Sequence, residues 1–128
     1  MPPLLFVYGS LLSTIAHPQG ERLRREATLV DAATLAGVRL YRVSWYPAAS
    51  ETGDEADNLF GEVYRLATPM PTLAWLDAYE GITAGTGEYE RVVRTVALAD
   101  GRPLDAMLYL YRWPVEHLEP IASGRWTG

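Results

Sequence analysis

Cysteine and lysine are both missing from the 128 residues. Without cysteine there is no disulfide framework, no thiolate nucleophile and no zinc–thiolate centre. Without lysine, Schiff-base chemistry and any lysine-dependent phosphate loop are excluded, and all eleven cations are arginine. Histidine occurs only as His17 and His117, without the helical spacing of a zinc pair, so each reads as a loop or surface residue. That scarcity also counts against a Ser–His–acid triad, and the residues around Ser10 do not form a Gly-x-Ser-x-Gly elbow. No apolar run approaches the roughly twenty residues of a membrane span. The N-terminal MPPLLFVYGSLL lacks a basic leader region and a cleavage site. A soluble, cytoplasmic domain is the expectation, with no membrane partner. The net charge of −5 argues against a nucleic-acid partner, which calls for a basic patch.

What is present suffices for one folded domain over residues 1–128, with 48% hydrophobic and 21% charged residues. Leu4–Tyr8 reads as a buried first strand ending at Gly9-Ser10. Pro18-Gln19-Gly20 reads as a turn and Glu21–Glu26 as a short helix. Ala27–Val43, interrupted by Gly37, suggests two strands or one bent strand, closed by Tyr46-Pro47-Ala48-Ala49. Ser50–Asn58 is a polar loop and Phe60–Leu66 a strand. A helix begins near Thr68, with Pro69 suited to its first position, and stops at Gly81. Ile82–Gly87 is a Gly/Thr-rich loop, within which Gly85-Thr86-Gly87 reads as a hinge. Tyr89–Leu98 is a β-branched strand turning at Asp100-Gly101 into a returning strand, Asp105–Arg112. The remainder is a tail with Trp126 as packing anchor. The order predicts an α+β fold with a mixed or antiparallel sheet, either open or curled into a barrel.

Two stretches carry candidate chemistry. On a wheel of about 100° per residue, Leu73, Leu76, Asp77 and Glu80 share one face of the predicted helix, so a carboxylate lies on an inward stripe. Burial and the negative helix end would both raise its pKa, as a general base working near neutrality requires. The alternative is a carboxylate at a fraying end, facing water or paired with Arg91 or Arg94. Tyr8-Gly9-Ser10-Leu11 could turn sharply and present consecutive N–H groups to an anion, with the Ser10 hydroxyl added, or be a plain turn. Tyr89, Tyr109 and Tyr111 could line a pocket or fill the sheet. Arg91 could neutralise a substrate carboxylate, hold Glu80, or make a surface cross-strand pair.

Phe6-Val7-Tyr8-Gly9-Ser10-Leu11, Tyr46-Pro47-Ala48, Gly61-Glu62-Val63-Tyr64 and Leu76-Asp77-Ala78-Tyr79-Glu80-Gly81 follow one another in order. Tyr89-Glu90-Arg91-Val92, the Leu108–Tyr111 strand and Ser123-Gly124 come after them. Together they resemble the gamma-glutamylcyclotransferase-like superfamily, in the branch of gamma-glutamylamine cyclotransferase and the AIG2-like proteins. The resemblance implies a small mixed β-barrel flanked by short helices, with a cavity at its mouth. It implies a cofactor-independent enzyme of lyase or acyltransferase type, in which the α-amine of a small γ-glutamyl substrate attacks its own γ-carbonyl and releases 5-oxoproline. Carried over by motif, Glu80 is the acid/base and Tyr8, Gly9, Ser10 and Leu11 hold the glutamyl group, with Tyr89 and Tyr109 beside them. No metal is needed, because the nucleophile belongs to the substrate. A non-catalytic module binding a carboxylate metabolite is the alternative, and the oligomeric state stays open between monomer and weak dimer. Three departures bear on leaving-group choice, the first being that Ile82–Glu88 is Gly/Thr-rich and a little expanded. Gly124-Arg125-Trp126 stands where many relatives have Gly-Asp-Trp, reversing a charge near the presumed site edge. Trp45 stands where small residues are common.

Overall fold

The computed structural model describes residues 3–80 and 87–128. In chain order the elements are β1 (Leu4–Val7), α1 (Pro18–Glu26), β2 (Ala27–Ala36), β3 (Val38–Arg42), β4 (Pro47–Glu51), β5 (Asn58–Leu66), α2 (Pro69–Tyr79), β6 (Tyr89–Leu98), β7 (Pro103–Tyr111) and β8 (Glu119–Ile121). All four side chains of β1 are buried. β1 pairs antiparallel with β5 and parallel with β7, and β2 bridges β5 to β6. The order β1-β5-β2-β6-β7 closes on itself, so the barrel is mixed and its strands leave no open edge. The rest of the strands form a small sheet, β4-β3-β8. The fold is α+β, as expected, and no helix among the described residues is long and apolar enough to cross a membrane.

Several elements differ from the sequence reading, each for a local reason. α1 begins at Pro18, where a turn was expected. Proline suits a first helical turn, and His17 caps it by accepting from the Gln19 N–H through Nδ1 at 3.2 Å. Glu21 in the first turn and Arg24 and Arg25 in the last match the helix dipole. Ala27–Val43 is two strands. They divide at Gly37, whose φ of 79° sends β2 into the barrel and β3 into the small sheet. Residues 47–51, expected to close that unit and open a loop, form β4, whose Ala49 pairs with Leu40. The polar loop is thereby shortened to 52–57, and β5 starts at Asn58. The tail carries β8 and docks on the barrel: the Phe60 N–H donates to the Gly124 carbonyl at 2.9 Å, and Trp126 is buried as anticipated.

α2 ends at Tyr79, and Glu80 is its C-cap. Thr68 is the N-cap, yet its side chain makes no capping bond. The helix is held instead by its inner face, where Leu73 and Leu76 are buried, and by Glu26 at the end of α1. Glu26 accepts from the Thr72 hydroxyl at 2.7 Å and the Trp75 indole at 2.9 Å, while the Arg22 guanidinium lies 4.4 Å above the Trp75 ring. α1 is tied back to the loop after β1, where Arg24 donates to the Leu11 carbonyl at 3.5 Å. One chain of contacts thus locates both the end of α2 and the loop beyond β1. The stop at Gly81 and the expected loop Ile82–Gly87 lie outside the described residues, apart from Gly87.

Candidate active site

At the barrel end where β1 and β7 finish and β6 begins, a cavity of about 360 Å³ opens to solvent. Such a volume suits a small metabolite. Tyr8, Gly9, Ser10 and Leu11 form one wall, Tyr79 and Glu80 come from the end of α2, and Tyr89 and Tyr109 come from β6 and β7. The residues assigned to the site by motif, with Tyr89 and Tyr109, therefore line the same space, whereas Tyr111 and Arg91, also considered for it, do not. The structure brings the former together from four separate segments.

Glu80 projects from the C-terminal end of α2, its own N–H donating to the Leu76 carbonyl at 2.9 Å. Its carboxyl is pushed up to about 8, first by burial and then by the like charges of Asp77 and Glu88. Among the described residues no donor reaches its oxygens. Neither arginine considered as a partner takes that role. Arg94 is engaged with Glu51 at 2.9 Å, and Arg91 lies 3.6 Å from Asp77. Asp77 also accepts from the Tyr109 hydroxyl at 2.7 Å, so it faces the sheet while Glu80 faces the cavity.

The tyrosine hydroxyls are committed elsewhere. Tyr8 donates to the Tyr109 carbonyl, Tyr89 donates to the Pro47 carbonyl at 2.5 Å, and Tyr79 shares a hydrogen bond with Ser10 Oγ at 2.7 Å. Burial is the first cause raising each of these phenols, and Tyr109 as well, with Glu80's charge contributing to all four. These phenols stay neutral, whereas the Glu80 carboxyl, at about 8, titrates near neutrality. The Leu12 N–H donates to the Gly9 carbonyl at 3.0 Å, turning the chain sharply after β1. No described residue accepts from the N–H groups of Gly9, Ser10 or Leu11. Consecutive N–H groups without an acceptor, on residues that line a cavity, are candidate donors for an anion. Glycine is required at the turn, since a Cβ on Gly9 would lie 2.9 Å from Pro47 Cγ.

The cavity also uses residues to which the sequence reading assigned no site role: Trp45, Tyr46, Pro47, Glu88 and Trp113. Trp45 and the segment ending at Glu88 carried a signal as departures from the family pattern, and Tyr46-Pro47 as part of a family motif; Trp113, beyond β7, carried none. Arg125 was placed near the site edge by resemblance. The structure sets its guanidinium 3.9 Å above the Phe60 ring, and it does not line the cavity. Among the described residues no three His, Asp or Glu side chains gather as metal ligands.

Residues 5–128 match the family model described as Gamma-glutamyl cyclotransferase, AIG2-like. The chain is 35% identical over 123 residues to the Gamma-glutamylcyclotransferase family protein YtfP of Escherichia coli K12, covering 95% of this chain and 94% of that protein. It is similar to the solution structure of Escherichia coli ytfP at a TM-score of 0.67 and 36% identity, over 96% of this chain and 95% of that one. An AIG2-like protein from Mus musculus shares the fold at a TM-score of 0.70 and 18% identity, over 90% of this chain and 80% of its own. With this match along almost its whole length, the chain belongs to the AIG2-like gamma-glutamyl cyclotransferase family.

Proposed function

We propose that this protein is a cyclotransferase that releases 5-oxoproline from a γ-glutamyl-amine or γ-glutamyl-amino acid, with Glu80 as general acid and base. The observation that carries this reading is Glu80 itself. It is a carboxyl raised to about 8 on a cavity wall, with no donor from the described residues to hold it ionised. In the reaction the substrate's α-nitrogen forms a bond to its own γ-carbonyl carbon, and the bond from that carbon to the leaving nitrogen breaks. The α-ammonium gives up two protons as it becomes the lactam N–H. The leaving nitrogen takes up both and departs as an ammonium ion. A single carboxyl with a pKa near that of an amine can relay each proton in turn. The N–H groups of Gly9, Ser10 and Leu11 would hold the α-carboxylate, while the rings of Tyr89 and Tyr109 enclose the chain. Folding a flexible glutamyl group into an attacking geometry is an orientation effect, which fits a narrow cavity with few polar groups.

The test is mass-spectrometric detection of 5-oxoproline from γ-glutamyl-lysine, γ-glutamyl-alanine and glutathione, comparing wild type with Glu80→Gln. The expected result is product from the wild type and a loss of about 10² to 10⁴ in rate for a folded Glu80→Gln. Full activity in Glu80→Gln would sink the assigned role. Saturable binding of 5-oxoproline by a wild type that turns over no γ-glutamyl compound would instead identify a binding module.

A further inference from the structure

Trp45 and Trp113 are 59% and 49% exposed, yet both belong to the cavity wall. Large exposed rings at a cavity rim mark a contact surface rather than core. Their orientations are set by neighbours. Trp45 stacks on His17 at 5.7 Å with 6° between planes and meets Tyr46 edge-on at 5.1 Å. Trp113 meets Tyr111 edge-on at 6.1 Å. Glu88 lies on the same wall, and the Tyr46 hydroxyl donates to both of its oxygens, at 2.9 and 2.8 Å. Burial and the Glu88 carboxylate push the Tyr46 phenol up to about 12, so it stays a donor.

The charged side chains among the described lining residues are Glu80 and Glu88, with no arginine. A leaving group bearing a free carboxylate would meet Glu88 with no cation to offset the repulsion. One bearing an ammonium would meet a fixed carboxylate and aromatic faces, the two features that recognise organic cations. The net charge of −5 favours approach of a substrate with the cationic leaving group.

We propose that Trp45, Tyr46, Glu88 and Trp113 form a leaving-group subsite selecting γ-glutamyl amides of cationic amines, diamines or polyamines, over γ-glutamyl-amino acids. The inference rests on the cyclotransferase reading and narrows its substrate class. Three probes decide it: the γ-glutamyl monoamides of 1,5-diaminopentane and of pentylamine, and Nε-(γ-glutamyl)lysine. They share a five-carbon chain and differ in the distal ammonium and the carboxylate. The expected kcat/KM for 5-oxoproline release favours the diamine conjugate by about tenfold over each of the others. That ratio falls toward one in Glu88→Gln, in Trp113→Leu and at high salt. Equal or better turnover of the pentylamine or lysine conjugate overturns the subsite. If no probe yields 5-oxoproline, the cyclotransferase reading has failed. Calorimetric binding of the same probes to Glu80→Gln then decides the subsite separately: tighter binding of the diamine conjugate supports it, and equal affinities overturn it.

Discussion

The Tyr109 hydroxyl donates to Asp77 Oδ1 at 2.7 Å, joining β7 to α2 three residues before Glu80. Arg91, opposite Tyr109 in the β6–β7 ladder, approaches the other Asp77 oxygen at 3.6 Å. Helix end and sheet are held together by one carboxylate, and the position of Glu80 depends on it. Tyr109→Phe removes the bond while keeping the ring. The expected cost is about 1 to 2 kcal/mol in unfolding free energy, read from denaturant midpoints, together with a lower kcat.

Asp77 also acts on Glu80 through its charge, the largest cause of the raised pKa after burial. Asp77→Asn removes that charge while leaving an acceptor for Tyr109. The pH profile of kcat/KM reports groups of the free enzyme, and its inflection near pH 8 should move to lower pH in the variant. Using one substrate for both proteins cancels the substrate's own titration. An unmoved inflection would show that Asp77 does not tune Glu80.

Stability carries the same signature with a definite sign. Between pH 4.5 and about 8 the Glu80 carboxyl is ionised in the unfolded chain and protonated in the folded one. The native state then binds the extra proton, so this contribution is full below pH 4.5 and is lost as pH rises toward 8. The slope is about 1.4 kcal/mol per pH unit at most. Glu80→Gln has no such titration. Urea midpoints should show wild type losing stability relative to Glu80→Gln between pH 5 and pH 8; a constant difference would mean that the carboxyl is not perturbed.

Gly9 and Pro47 meet too closely for a side chain, with a Cβ on Gly9 falling 2.9 Å from Pro47 Cγ. The proline ring cannot rotate away, and its carbonyl anchors the Tyr89 hydroxyl. Gly9→Ala should displace the loop and spoil the alignment of its three N–H groups. KM for the γ-glutamyl substrate rises more than kcat falls, which steady-state kinetics separate.

Arg125 packs on Phe60 outside the cavity. Arg125→Asp, which restores the charge sign of many relatives, should leave kcat/KM unchanged. It should cost about 0.5 to 1 kcal/mol of stability through the lost cation–π contact, seen in the thermal midpoint.

Some of this was legible from local pattern. The wheel of α2 puts Leu73 and Leu76 inward with Glu80 on the same side, and periodicity of 3.6 needs no tertiary knowledge. The apolar β1 ending in Gly9-Ser10, the Asp100-Gly101 hairpin and Trp126 as anchor are likewise short-range signals. The Pro18 helix start was readable in principle through proline's fit to a first turn. By contrast, Pro47–Glu51 has no strand-forming side chains to betray it; β4 exists because β3 offers it a partner.

The amino-acid order alone determined which groups were available for chemistry: two carboxylates, Asp77 and Glu80, on one face of a helix end, one glycine-serine turn after a buried strand, and no cysteine or lysine. Tertiary structure decided what those groups became. Closure of the barrel places the ends of β1 and β7 side by side and brings Glu80, the Tyr8–Leu11 loop, Trp45, Glu88 and Trp113 around one cavity. It also decides that Arg91 holds Asp77 rather than Glu80, and that Asp77 and Glu88 together raise the Glu80 carboxyl. Electrostatic perturbation depends on distance and burial, and both are set by contacts between residues far apart in the chain.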